Sequence, residues 1–127
     1  MTIDRFAGSA PWEETYGYAR VVVAGDWALT AGTTATVDGR VVHPDDPYAQ
    51  AKVAFGIALD TLRSAGFEPE SVVRTRMYVR NIAHQAEIGR AHRELFGAIR
   101  PVSTMLEVSA LADPDHLIEI EIEAFRT

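Results

Sequence analysis

Near the end of the chain a carboxylate stands at every second position, Glu119, Glu121 and Glu123, with Ile118, Ile120 and Ile122 between and before them. Residues 71–80 alternate in the same way, setting Val73, Thr75, Met77 and Val79 against Arg74, Arg76, Tyr78 and Arg80. A period of two is that of a strand, whose successive side chains leave opposite faces, so each run presents one apolar and one polar face. Two kinds of chemistry follow. A glutamate enclosed in a cleft has its pKa raised toward neutrality and can position or activate water as a general base; Glu121 is the candidate, and a solvated strand face is the reading expected of Glu119 and Glu123. An arginine row can hold an anion through its planar guanidinium groups, and Arg76, central and on the same face as Tyr78, is the candidate. The competing outcome for Arg76 is a structural network in which its donors go to Glu119, Glu121 or Glu123.

Other reactive groups are few. With no cysteine, thiolate catalysis, disulfides and iron–sulfur clusters are excluded. His43, His84, His92 and His116 lack the spacing of metal ligands, and no metal site is expected. His92 falls on an apolar stripe between Ile88 and Phe96, as a packed histidine does. There is no phosphate-binding loop, dinucleotide fingerprint or nucleophile elbow, so the expectation is chemistry without a cofactor. A net charge of −6 disfavours a surface built to neutralise phosphates, and nucleic acid is not an expected partner. No apolar run approaches the ~18 residues of a membrane span, and the opening residues lack the apolar segment of a signal peptide. A cytoplasmic location is expected.

The elements that must position these residues follow from periodicity and punctuation. With 127 residues the chain is expected to form a single domain, residues 1–127. Residues 18–24 and 27–34 are β-rich runs split by Gly25-Asp26, a hairpin signal. Asp46 and Pro47 open a helix whose small and apolar residues recur at helical spacing until Gly66. Residues 71–80 form the next strand. Asn81 caps a second helix closed by Gly97, and Pro101 blocks its continuation. Two strands, residues 103–110 and 117–125, complete a ββαβαββ order. The expected fold is an α+β sandwich in which two helices cover one side of a mixed sheet, leaving the other side for an oligomeric partner.

The hairpin Gly25-Asp26-Trp27-Ala28-Leu29-Thr30-Ala31-Gly32, the strand at residues 72–79, the segment Arg100-Pro101-Val102-Ser103-Thr104-Met105-Leu106-Glu107-Val108 and the ending Ile118-Glu119-Ile120-Glu121-Ile122-Glu123-Ala124 together resemble the Rid (YjgF-type, reactive intermediate deaminase) family, also known as endoribonuclease L-PSP. The resemblance implies a chorismate-mutase-like fold, a homotrimer with clefts between subunits, and cofactor-free hydrolysis of enamines and imines to ketoacids and ammonia. It also implies catalytic roles for Tyr18 and Glu121. Ala31 stands where the family has a serine, Met105 where it often has a cysteine, and Ser103 where its deaminases hold the substrate carboxylate with an arginine. Ser103 and Thr104 would then hold a neutral polar group. A ligand-binding trimer without turnover and an endoribonuclease are the alternative functions.

Overall fold

The protein, described here over residues 2–127 by a computed structural model, begins its sheet at the N-terminus. Its elements are β1 (Ile3–Phe6), α1 (Pro11–Tyr16), β2 (Val21–Ala24), β3 (Trp27–Thr30), β4 (Thr33–Thr34), β5 (Thr36–Val37), β6 (Arg40–Val41), α2 (Pro47–Ser64), β7 (Val72–Val79), α3 (Gln85–Phe96), β8 (Val102–Glu107) and β9 (Ile118–Phe125). The main sheet runs β1-β2-β3-β9-β7-β8, with β4 continuing the β3 side of β9. Only the β7–β8 pairing is parallel within this mixed sheet, and α3 lies in the connection between those two strands. The fold class is α+β, as the element order predicts.

Local chemistry explains the main joints. Gly25 turns at φ 61° between β2 and β3, where Ala24 pairs with Trp27 across a two-residue loop. The Asp46 side chain accepts a hydrogen bond from Ala49 N at 3.0 Å and caps α2, with Pro47 at its first position. The buried stripe Ala51, Ala54, Phe55, Ala58, Leu59 and Leu62 then lays α2 on the sheet and against α3. From the sheet, Val21, Val23, Met77, Val79, Ile118, Ile120 and Ile122 meet it in one core. Each large side chain buried there contributes roughly 1.5–3 kcal/mol.

The structure departs from the sequence expectation in several places: the run expected at residues 27–34 is broken into β3 and β4, and the small β5–β6 hairpin was not expected. Strand β1 and helix α1 were not expected, because β1 buries none of its four side chains and is held by its ladder to β2. Asn81 caps a 3-10 turn at Ile82–His84, accepting from Ala83 N at 2.9 Å, and α3 begins only at Gln85. Strand β8 ends at Glu107 instead of reaching residue 110. A β-bulge between Val72 and Arg74 puts Val72 into the core and Val73 at the surface. The alternation is therefore regular only from Arg74 onward.

Candidate functional site

The helix-free face of the sheet carries the charged rows, and its pairing register decides which residues meet. Arg76 lies opposite Glu121, and Tyr78 opposite Glu119. The side chains lean one pair along: Arg76 Nη1 donates to Glu123 Oε2 at 2.7 Å, and Arg74 Nε reaches the same oxygen at 3.1 Å. Arg76 thus spends a donor on a carboxylate, the competing outcome named above. Tyr78 donates its hydroxyl proton to Glu121 Oε1 at 2.6 Å, which raises the phenol pKa, with burial assisting. Glu121 and Glu123 are both partnered. Glu119 makes no salt bridge among the described residues.

The pocket forms where the ladder along β9 is interrupted. Leu29 pairs with Glu123 and Thr33 with Ile120, so Thr30, Ala31 and Gly32 face only Glu121 and Ile122 and leave the β9 ladder, while Thr30 still pairs with Val21 of β2. The Thr30 hydroxyl takes over the lost backbone partner, accepting from Ile122 N at 2.9 Å in a buried position. The released loop, with Tyr18, Ala19, Val22, Leu29 and Glu119, lines an open pocket of about 500 Å³. Gly32 is needed there for space, since a Cβ at that position would overlap the Glu119 carboxylate, lying 2.9 Å from its Cδ.

Arg20 pins this loop. Its Nη1 donates to Gly32 O at 2.7 Å and to Thr33 Oγ1 at 3.2 Å, while its Nε pairs with Glu13 at 3.3 Å. Glu13 in turn accepts from Gly8 N at 2.7 Å, so α1 and the preceding loop hold the arginine in place. Burial raises the Glu119 pKa first, the neighbouring Glu121 charge raises it further, and Arg20 opposes both. An unpaired carboxyl with a raised pKa, beside an exposed tyrosine and apolar walls, is equipped to exchange a proton with a small bound molecule.

Of the residues singled out from the sequence, the structure brings Tyr18 and Ala31 together at this pocket. Glu121 stands two positions from Glu119, engaged by Tyr78. Ser103 and Met105 lie across from the buried Thr75 and Met77 and share the helix side of the sheet, while Thr104, paired with Arg76, is on the opposite side. Sequence reasoning missed Glu119, Arg20 and Glu13 as site residues. The period of two cannot separate Glu119 from Glu121, because both share one face. No group of three or more His, Asp or Glu side chains suited to a metal occurs among the described residues.

The chain belongs to the family described as Endoribonuclease L-PSP, whose model matches residues 8–126. An uncharacterized protein of Streptomyces coelicolor is 43% identical over 98% of this chain and 92% of its own. The crystal structure of a Mycobacterium tuberculosis member of the YjgF/YER057c/UK114 family is 37% identical, covers 98% of this chain and 100% of that one, and superposes with a TM-score of 0.89. The yjgF gene product of E. coli, 24% identical, shares the fold with a TM-score of 0.80 over 97% of this chain and 94% of its own. These neighbours bear out the YjgF-type, chorismate-mutase-like fold.

Proposed function

We propose that this protein hydrolyses small reactive imines or enamines, or a related carbonyl compound, without a cofactor, and that Glu119 is the group that moves the proton. The observation that carries this reading is the unpaired Glu119 carboxyl, raised by burial and set against Tyr18 and the Ala31-Gly32 loop. In the neutral form Glu119 gives its proton to the imine nitrogen. Water then adds to the carbon, the C=N π pair passes to nitrogen, and the water's proton goes to the Glu119 carboxylate. In the carbinolamine the same proton returns to nitrogen, the C–N bond breaks, the hydroxyl proton passes back to Glu119, and ammonia leaves a carbonyl product. One water is consumed for each ammonia released. Tyr18, exposed at the rim, is suited to stack on or hydrogen-bond the substrate.

The open pocket has one wall, and we propose that a neighbouring subunit of a homotrimer supplies the other. Support comes from the apolar groups left uncovered on the helix-free face, Trp27, Leu29, Phe125, Val102 and Leu106. Because Ser103 stands where the resembling deaminases hold a carboxylate, imines of ordinary 2-amino acids are expected to be poor substrates. The test is ammonia release from a panel of imines generated in situ, with and without a carboxylate. Glu119→Gln is expected to lose about 100-fold or more in kcat, as the removal of a general acid–base group does, while Glu121→Gln keeps most of its activity. Full activity in Glu119→Gln overturns the assignment, and ribonuclease activity without ammonia release overturns the reaction class.

A further inference from the structure

Next to the Glu119 pocket lies a second hollow of about 420 Å³. The two share Tyr18, Ala19 and Val22, while Glu119 lines only the first. Val22 is the common floor. It pairs with Arg5 of β1 on one side and with Leu29 of β3 on the other, so the three stand in one row across the helix-free face. Phe6 and Ala7, at the end of β1, form the outer wall of the second hollow.

One ion pair holds both hollows in place. The buried Glu13 accepts from Gly8 N at 2.7 Å through its carboxylate, fixing the loop that follows β1. Its backbone carbonyl accepts from Gly17 N and Tyr18 N, both at 2.9 Å, which turns the chain at the end of α1 and sets Tyr18 in the shared wall. Arg20, the partner of Glu13, grips Gly32 on the side of the Glu119 pocket and lies over the Tyr18 ring, 5.8 Å from its centroid. Arg20 N also donates to Phe6 O at 2.8 Å. The spacing between the hollows is therefore set before any ligand arrives.

The lining decides what fits. Phe6, Ala7, Ala19, Val22 and the Tyr18 ring are apolar, and the ionised groups are Arg5, Glu13 and Glu14. Arg20 meets the charge of Glu13. Arg5 and Glu14 are exposed, make no salt bridge among the described residues and carry opposite signs, so the rim offers no net charge to an ion. A guanidinium at such a rim can lie on the face of an aromatic ring.

We propose that this hollow is a subsite for an uncharged aromatic group, carried on the carbon of the C=N or C=O that Glu119 serves. A ligand lying across both hollows places its reacting group beside Glu119 and its ring over Val22, between Phe6 and Tyr18. In placing an imine or carbonyl at Glu119 the inference rests on the reading above, but recognition of the ring is measured by binding, so the two fail separately.

The experiment is an NMR titration of the full chain with phenylacetamide, with acetamide, which lacks the ring, and with phenylacetate, which carries a charge in place of the amide. Phenylacetamide is expected to bind about 10-fold or more tightly than acetamide, as burial of the ring's apolar area dictates, and to shift the amides of Phe6, Ala7, Gly17 and Ala19. Ala7→Phe, which fills the hollow from an exposed position, is expected to erase most of that preference, and Phe6→Ser, which removes the outer wall, to reduce it. In turnover, kcat/KM for ammonia release is expected to be higher for the imine of phenylacetaldehyde than for that of acetaldehyde, with the ratio falling in Ala7→Phe. Equal binding of phenylacetamide and acetamide overturns the subsite. So do shifts confined to other residues, a preference that survives both substitutions, and phenylacetate binding more tightly than phenylacetamide. A ring preference in binding with no ammonia release supports the subsite and overturns the reaction; ammonia release at equal kcat/KM from both imines does the reverse.

Discussion

Glu119 and Glu121 are separated by a single isoleucine and differ in what each one touches. Tyr78 satisfies Glu121, whereas Glu119 faces Gly32 with burial and a neighbouring negative charge both opposing its ionisation. A folded-state pKa above the unfolded one makes the protein most stable, with respect to that group, below the unfolded pKa; stability is then lost as pH rises through the folded value. Glu119→Gln carries no charge at any pH. It is expected to melt at a higher temperature than the parent at pH 7, with the difference shrinking as pH falls through the folded value and gone below about 4.3, the ordinary glutamate value. Thermal unfolding followed by circular dichroism at both pH values checks this, and a difference that does not change with pH refutes it. The sequence exposes the carboxylate row through its alternation with isoleucine, but the choice within the row depends on where the opposite strand leaves the ladder. Thr30, Ala31 and Gly32 give no periodic sign of that departure. Arg20 and Glu13 are equally silent, since their pairing depends on the path of the N-terminal loop.

Helix α2 shows how much of an element the sequence can specify. Its cap, its first proline, its stripe and its closing glycine are all local features, and the observed span Pro47–Ser64 follows from them. Gln50 is the exception, a polar residue with no exposed surface, lying within the buried side. Its amide nitrogen donates to Val42 O and Asp115 O at 3.0 and 2.9 Å, and its oxygen accepts from Leu117 N at 2.8 Å. One side chain thus fastens α2 to the segment before it and to the approach of β9. Gln50→Ala leaves three backbone groups without partners and is expected to cost roughly 2–4 kcal/mol, on the scale of about 1–3 kcal/mol for a buried unsatisfied group. Urea unfolding measures it, and a loss below about 1 kcal/mol shows that water or rearrangement replaces the amide. Helical spacing alone reads position 50 as an interruption. The bulge at Val73 marks the same limit in a strand, because the extra residue is visible only against its partner.

At the level of the whole molecule, helices α2 and α3 cover one face of the sheet, and the other keeps exposed Trp27, Leu29, Val102, Leu106 and Phe125 around its ion pairs. If three chains meet on this face, light scattering should give about three times the 13.9 kDa of one chain. Leu106→Asp, which puts a charge on that face without touching the core, is expected to shift the mass to a single chain and to lower imine hydrolysis with it. A parent protein of single-chain mass at micromolar concentration rules out the trimer. The order of the strands carries a further consequence, for synthesis. Strand β9 is the last element of the chain, yet it lies in the middle of the sheet, with β3 and β4 on one side and β7 on the other. While the chain is still being made, the first hairpin and the β7–β8 pair have no strand to join them, and the core has no Ile118, Ile120 or Ile122. Ladders that span most of the chain close late and slowly. A ribosome-bound chain that has not yet made residues 118–125 therefore carries two unjoined half-sheets with apolar faces, and folding becomes cooperative only when β9 emerges.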